Sequence, residues 1–184
     1  WNTVSFFSLY AKASNYDVPT KIPPSSATMD RWILSEINQL ITNVEKAYEG
    51  FDSQVAGQLL ASFIDDLSNW YVRRSRRRFW DGDSDALNTL YVALKTLTQL
   101  LAPMVPFITE HVWQVLVRVA EPHSPNSVHL AHFPTAQSEN IDLNLSASVA
   151  LSRRLVELGR AARAESKVKI RQPLARALVS APGW

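Results

Sequence analysis

The chain has 184 residues, which is long enough for a domain with a hydrophobic core. Apolar residues make up 46% and charged residues 20%, a globular balance that excludes intrinsic disorder. The absence of cysteine excludes disulfides and thiolate zinc sites and fits a reducing, cytoplasmic location, while a net charge of +2 is too small to indicate a nucleic-acid partner by itself.

The amino-terminal part of the sequence predicts a helix, a linker and a longer helix. Residues 1–15 have the pattern of a helix end whose start is missing, so we expect the chain to be a piece of a larger protein. Residues 16–27 contain three prolines and several small polar residues, which is typical of a linker. Apolar residues then recur at helical spacing from Ile33 to Tyr48, and Gly50 supplies a stop.

Three further helical patterns follow. The longest begins at residue 52 or 53 and continues to Trp80, a predicted length of about 40 Å at roughly 1.5 Å per residue. The next begins after residue 83 or 84 and runs to Leu101. Pro106 suits the first turn of a further helix, because that position needs no backbone N–H.

The carboxy-terminal part predicts a change of structure. Residues 120–142 are predicted to form a loop, with a short extended stretch from Val128 to Phe133. After one more helix, residues 167–180 contain strand-like segments around a proline. The predicted fold class is mainly α: an antiparallel helical bundle over residues 28–163, followed by the start of a short partial α/β appendage over residues 164–184.

Residues 69–80 hold five arginines among four aromatic residues, in the order NWYVRRSRRRFW. Arginine binds phosphate through two parallel hydrogen bonds and stacks on flat rings, so this composition is typical of an RNA-facing surface. The simpler alternative is a solvated helix face whose cations complement the helix dipole.

Helical geometry sorts this cluster into two faces. Three arginines continue the polar face of the helix and, together with the adjacent Trp80, are predicted to contact RNA: Arg73, Arg76 and Arg77. Arg74 and Arg78 instead extend the apolar stripe, so we predict that these two and Phe79 contact a neighbouring segment or domain.

A second basic group consists of Lys167, Lys169 and Arg171. Because these residues alternate with Val168 and Ile170, they would share one side of an extended segment. Such a segment suits contact with a phosphate backbone, and an edge strand guarded by lysines remains an equal alternative.

The sequence predicts neither a metal site nor catalytic residues. His123, His129 and His132 lie in one loop, without an acidic or sulfur ligand at a suitable spacing. The adjacent carboxylates Asp65 and Asp66 would point about 100° apart on a helix, so they do not form a catalytic pair.

Residues 69–80 resemble the helix motif of isoleucyl-tRNA synthetases, in the anticodon-binding region of class I aminoacyl-tRNA synthetases. Four other stretches resemble the family in the expected order: 1–7 (WNTVSFF), 29–35 (MDRWILS), 101–113 (LAPMVPFITEHVW) and 167–174 (KVKIRQPL). The third of these is shared with the valyl branch, and the first and last look specifically isoleucyl. Together the five stretches cover nearly the whole chain.

This resemblance implies a helical module that binds the anticodon arm of isoleucine tRNA and performs no chemistry. The chain lacks the family's ATP-binding motifs, editing segment and cysteine zinc cluster. No cofactor is therefore expected in this chain, whereas the parent enzyme would use ATP to attach isoleucine to its tRNA in the cytoplasm, and zinc is possible only in the parent.

The resemblance also implies the partners. They are isoleucine tRNA and the neighbouring catalytic and C-terminal domains of the same polypeptide; neither a membrane nor DNA is expected. Two alternatives remain open: a structural brace between synthetase domains with little tRNA contact, and the equivalent domain of a valyl-tRNA synthetase.

Overall fold

The computed structural model describes residues 1–180, and within this range the chain forms helices and loops without a β-strand. It divides into two compact units, residues 1–142 and residues from 143 onward. This division differs from the predicted boundary at residues 163 and 164, and the first unit includes the predicted helix end and linker. The mainly α helical fold is confirmed.

The structure contains helices α1 (Asn2–Ala13), α2 (Thr28–Glu49), α3 (Ser53–Asp65), α4 (Arg76–Trp80), α5 (Ser84–Leu101), α6 (Pro106–Val112), α7 (Arg118–Ala120) and α8 (Leu143–Glu165). Two π-helical segments, Asp66–Val72 after α3 and Trp113–Val117 between α6 and α7, continue the α-helices that precede them. Short 3₁₀ turns occur at Val128–Leu130 and Ser138–Asn140. Among the described helices, none combines the length and the apolar character needed to cross a membrane.

The core of the first unit lies where α2 packs against α3 and α5. Most of the apolar stripe predicted for α2 is buried, including Ile33, Ile37 and Val44, and Trp32 just before it is buried as well. Burial of such side chains stabilises the fold by roughly 1.5–3 kcal/mol each. The helical periodicity of the sequence therefore identified the side of α2 that faces the core.

Helix starts follow the local rules read from the sequence. The carboxylate of Asp52 accepts a hydrogen bond from the N–H of Val55 at 3.0 Å, and α3 begins at the next residue. Asp83 does the same for α5, accepting from the N–H groups of Asp85 and Ala86 at 2.9 and 3.1 Å. Pro106 occupies the first position of α6, as predicted.

The continuous helix predicted from residue 53 to residue 80 is wrong in one respect. After α3 the chain forms a π-helical segment, bends at Ser75 and resumes as α4. Its most deeply buried positions are Leu67, Tyr71, Ser75 and Phe79, spaced four apart, because i→i+5 hydrogen bonds widen the turn beyond 3.6 residues. Arg74, predicted on the buried stripe, is consequently exposed, and Ser75 takes the buried place.

Two predictions of extended backbone are wrong in whole or in part. Val128–Leu130, the first half of the stretch predicted from Val128 to Phe133, forms a 3₁₀ turn, and Ala131 after it is extended. After α8, Lys167 adopts a left-handed conformation with φ of 56°, and the N–H of Val168 donates to the carbonyl of Arg163 at 2.9 Å, which closes the helix end. Residues 167–180 then form turns and irregular backbone. The last four residues of the predicted appendage lie outside the described range.

The turn between α4 and α5 passes close to α1. Gly82 has a φ of 71°, and a Cβ at this position would lie 3.1 Å from Oγ of Ser14. Only glycine adopts this conformation readily, and a side chain would also crowd α1. Gly82 therefore allows the chain to reverse so that Asp83 returns to the side of Arg78.

Asp30, near the start of α2, is fully buried and is the centre of a polar network. Arg78 donates to both of its carboxylate oxygens, at 2.7 and 2.8 Å, while Nε of Arg78 donates to Asp83 at 2.8 Å. The hydroxyls of Tyr71 and Ser25 also donate to Asp30, at 2.8 and 2.7 Å. This Asp30 network joins α2, the π-helical segment, α4 and the start of α5.

The network shifts the pKa values of its members. Hydrogen bonding to Asp30 raises the pKa of the Arg78 guanidinium above its ordinary value. Burial, followed by the charge of Asp30, raises the pKa of Tyr71 well above its ordinary range. Burial acts to raise the pKa of Asp83, but the hydrogen bonds from Arg78 and the N–H of Ala86 outweigh burial and lower it.

We expect Arg78→Leu to lower the free energy of unfolding by about 3–5 kcal/mol, because the substitution leaves Asp30 charged, buried and without its cation. Urea unfolding followed by circular dichroism measures the change. Arg77→Leu is the matched control, since its 94% exposed side chain should alter stability by no more than about 0.5 kcal/mol. Equal stability of the two variants would contradict a stabilising role for the network.

The lowered pKa of Asp83 predicts a loss of stability in acid. Since the native state binds the proton more weakly than the unfolded chain, this contribution is present above the ordinary value of 3.8 and is lost as the pH falls through the native pKa. Asp83→Asn keeps a capping side chain but removes the charge, so its unfolding midpoint should depend less on pH below about 4. Asp81→Asn, in the same turn but exposed, should retain the original acid dependence.

Candidate nucleic-acid interface

The arginine-rich segment lies at the end of the rod that α3, the π-helical segment and α4 form. The side chains of Arg73, Arg76 and Arg77 are exposed, as the helical wheel predicted. Trp80, the last residue of α4, is 77% exposed. We call these four residues the arginine face.

The charges of the arginine face are largely unpaired within residues 1–180. Arg73 and Arg76 form no salt bridge there, and Arg77 has only a 3.7 Å contact with Asp81 across two exposed side chains. Such an exposed pair contributes little energy. The arginine face therefore presents positive charge to solvent, where it is available to an anionic partner.

Trp80 is more exposed than three other tryptophans of the chain. Trp32 and Trp113 are buried. Trp70 is half-buried. An indole as exposed as that of Trp80 beside three cations is a suitable surface for stacking on a nucleobase.

Phe79 contacts a neighbouring segment, α1, and not a separate domain. Its side chain is 0% exposed and packs edge-on against Phe6 of α1 and Tyr71, with ring centroids 5.2 and 6.1 Å apart. A side chain without exposed surface cannot contact a separate domain. Phe79 instead fixes α4 to the first unit.

The two other residues predicted at an interface have different environments. Arg78 donates hydrogen bonds to Asp30 and Asp83, so it joins segments within the first unit. Arg74 is exposed and lies over the ring of Trp70, with Cζ 4.6 Å from the ring centroid. A contact of either residue with another domain stays a prediction.

Sequence reasoning missed Asp30 as the partner of Arg78. The stretch 29–35 had been recognised as a family motif, but no role was assigned to its acidic residue. The only sequence signal for a buried Asp30 is its place as a carboxylate at the start of a strongly apolar helix. An acidic residue at that place is ordinarily explained by interaction with the helix N-terminus or by solvent exposure.

The second basic group belongs to the second unit. Lys167, Lys169 and Arg171 are exposed and lie on a turn after α8. Arg163 donates to the backbone carbonyls of Lys169 and Gln172, at 2.9 and 2.8 Å, and so holds this turn in shape. A role for the three cations in tRNA binding stays a prediction.

Residues 1–180 contain no group of three histidine, aspartate or glutamate side chains placed to hold a metal ion. A cavity of about 110 Å³ lies among α1, α3, α5 and α6, and its lining contains no titratable side chain. The walls of this cavity are mostly apolar, as expected for a gap in the packing between helices.

Comparison with known proteins identifies the class of this fold. Residues 30–179 match the family described as the anticodon-binding domain of tRNA ligase. Because this match extends over most of the chain, the chain belongs to that family.

Individual relatives are isoleucine–tRNA ligases. Those of Streptomyces avermitilis, Thermobifida fusca and Thermus thermophilus are 56%, 55% and 44% identical over 187, 196 and 190 residues. The alignments cover 100%, 100% and 99% of this chain but 18% of each relative. The chain thus spans about 18% of the length of these curated relatives.

The opposite environments of two adjacent aromatic residues generate a prediction. We expect Phe79→Ala to lower the free energy of unfolding by about 3–5 kcal/mol, since it leaves a cavity between α4 and α1. Trp80→Ala should change it by no more than about 0.5 kcal/mol, because that indole is mostly in solvent. Urea unfolding of both variants tests the assignment, which comparable losses would refute.

Proposed function

We propose that this chain binds the anticodon arm of isoleucine tRNA through the arginine face and contributes no catalytic group. The observation that carries this proposal is the set of exposed, largely unpaired guanidinium groups beside an exposed indole. The family membership supports an anticodon-arm ligand, and the names of the relatives support isoleucine tRNA over valine tRNA.

In this proposal phosphates and bases have separate contacts. Arg73, Arg76 and Arg77 bind backbone phosphates, which positions the RNA without reading its sequence. Trp80 stacks on an unpaired base, a contact worth about 1–3 kcal/mol. The Asp30 network holds α4 in place before binding, which reduces the entropy lost on association.

The second unit supplies further phosphate contacts through Lys167, Lys169 and Arg171. The carbonyls of the turn that carries these residues are already tied to Arg163, so less backbone ordering is needed on binding. Each phosphate neutralised in this way adds to the salt dependence of binding.

The longer protein to which this chain belongs is proposed to attach isoleucine to its tRNA in the cytoplasm, with ATP as the energy source. Its catalytic and C-terminal domains are proposed as partners of this chain within one polypeptide. ATP, and any zinc, belong to those other parts, and no cofactor is proposed here.

A structural role is the second candidate, and the apolar surface of α6 favours it. Phe107 is 91% and Ile108 is 47% exposed, outside the arginine face. Contiguous exposed apolar residues mark sites that another protein surface covers. A bracing domain of this kind would be stably folded yet would not retain tRNA at low salt.

Gel-shift titration with isoleucine tRNA tests the proposed function. We expect Arg76→Glu/Arg77→Glu to weaken binding by about tenfold or more at roughly 50 mM salt, because two phosphate contacts become repulsive. The slope of log affinity against log salt should decrease by about 1–2. A competitor series with valine tRNA tests the choice of tRNA.

Single charge reversals provide the matched control. Lys46→Glu changes the same charge on an exposed residue of α2, 16 positions or roughly 24 Å along the helix from Asp30. It should weaken binding much less than Arg76→Glu. Equal effects of these two variants would mean that net charge, and not the arginine face, governs binding. If the unmodified chain does not bind tRNA at low salt, the structural role is supported instead.

A further inference from the structure

Trp70 and Arg74 form a contact that neither the Asp30 network nor the arginine face uses. Cζ of Arg74 lies 4.6 Å from the centroid of the Trp70 ring. Trp70 is half-buried, so its indole is anchored in the rod, whereas the Arg74 side chain is exposed. The contact therefore restrains a cation on the outer surface of the rod.

The chemistry of this pair suits an aromatic ligand. A guanidinium is planar, delocalised and weakly hydrated, and it stacks on aromatic rings. The tryptophan ring attracts the guanidinium electrostatically. The contact also restricts the arginine side chain before a ligand binds, so less conformational entropy is lost on binding. Unpaired nucleobases are bound in this way, between arginine planes and aromatic side chains.

The position of the pair relates it to the arginine face. Trp70 and Trp80 are ten residues apart on the same rod, or about 15 Å at roughly 1.5 Å per residue. This distance corresponds to about four nucleotide steps of roughly 3.4 Å in a stacked strand. Arg73, Arg76 and Arg77 lie between them in sequence. Two stacking positions with cations between them are characteristic of surfaces that bind single-stranded RNA.

We propose that Arg74 and Trp70 form a second nucleobase subsite, which receives an unpaired base of the RNA bound at the arginine face. This inference rests on the proposed function. It assigns Arg74 to RNA recognition, whereas the sequence had placed it at a domain contact. The widened π-helical spacing makes this role available, since it moves Arg74 from the buried stripe to the surface.

Arg74→Lys separates stacking from charge. Lysine keeps the positive charge but lacks the planar group, so stacking is lost while phosphate attraction remains. We expect the affinity for an isoleucine tRNA anticodon stem-loop to fall about fivefold or more, with an unchanged salt slope. The fluorescent base 2-aminopurine can be placed at each unpaired position of this RNA in turn. At one position, its fluorescence should be quenched less on binding the variant than on binding the unmodified chain.

Arg160→Lys is the matched control, because Arg160 is exposed on α8 and lies outside both the arginine face and the second basic group. It should change affinity by less than about twofold, and both variants should retain the urea midpoint of the unmodified chain. Trp70→Phe, which keeps a smaller ring under Arg74, should have an intermediate affinity.

The outcomes distinguish this inference from the proposed function. If Arg74→Lys binds the stem-loop as tightly as the unmodified chain, or if Arg160→Lys loses as much affinity, the second subsite is wrong. The proposed function survives either result as long as Arg76→Glu/Arg77→Glu still weakens tRNA binding. An unmodified chain that does not bind the RNA at low salt overturns both.

Discussion

A buried carboxylate and the cation that neutralises it govern the structure around the candidate site. Asp30 has no exposed surface, and burying an unpaired charge would cost several kcal/mol. Arg78 satisfies both carboxylate oxygens, while Tyr71 and Ser25 supply additional hydroxyl donors. Because these residues come from different segments, the requirement to pair one charge fixes the start of α2 against the end of the rod.

This constraint divides the arginine cluster into an internally paired part and an exposed part. Arg78 forms its ion pair with Asp30 inside the first unit, and the adjacent Phe79 is buried against α1. Arg73 and Arg76 form no salt bridge within residues 1–180, and their side chains are exposed to solvent. One part of a short segment therefore holds α4 in place, and the other presents its cations to solvent. A rigid support of this kind lets charge–phosphate contacts form with little loss of conformational entropy.

The π-helical segment has an equally direct effect on the surface. A regular α-helix would direct Arg74 toward the core, where a guanidinium needs a partner. The wider turn places Ser75 there and leaves Arg74 exposed above Trp70. π-Helical turns occur frequently at functional sites, and here the turn alters which side chains the rod presents. This chain thus presents an additional exposed cation because of a local change of helical geometry.

The sequence by itself determined the helical class, the start of α6 at Pro106, the starts of α3 and α5 to within one residue, and the family. Capping and periodicity are local properties, and motifs are read directly from the sequence. It also identified which arginines of the polar face are exposed. Only the tertiary structure decided the environments of Arg74 and Arg78. The first depends on a change in helical pitch that periodicity assumes constant, and the second depends on a carboxylate 48 residues away in sequence.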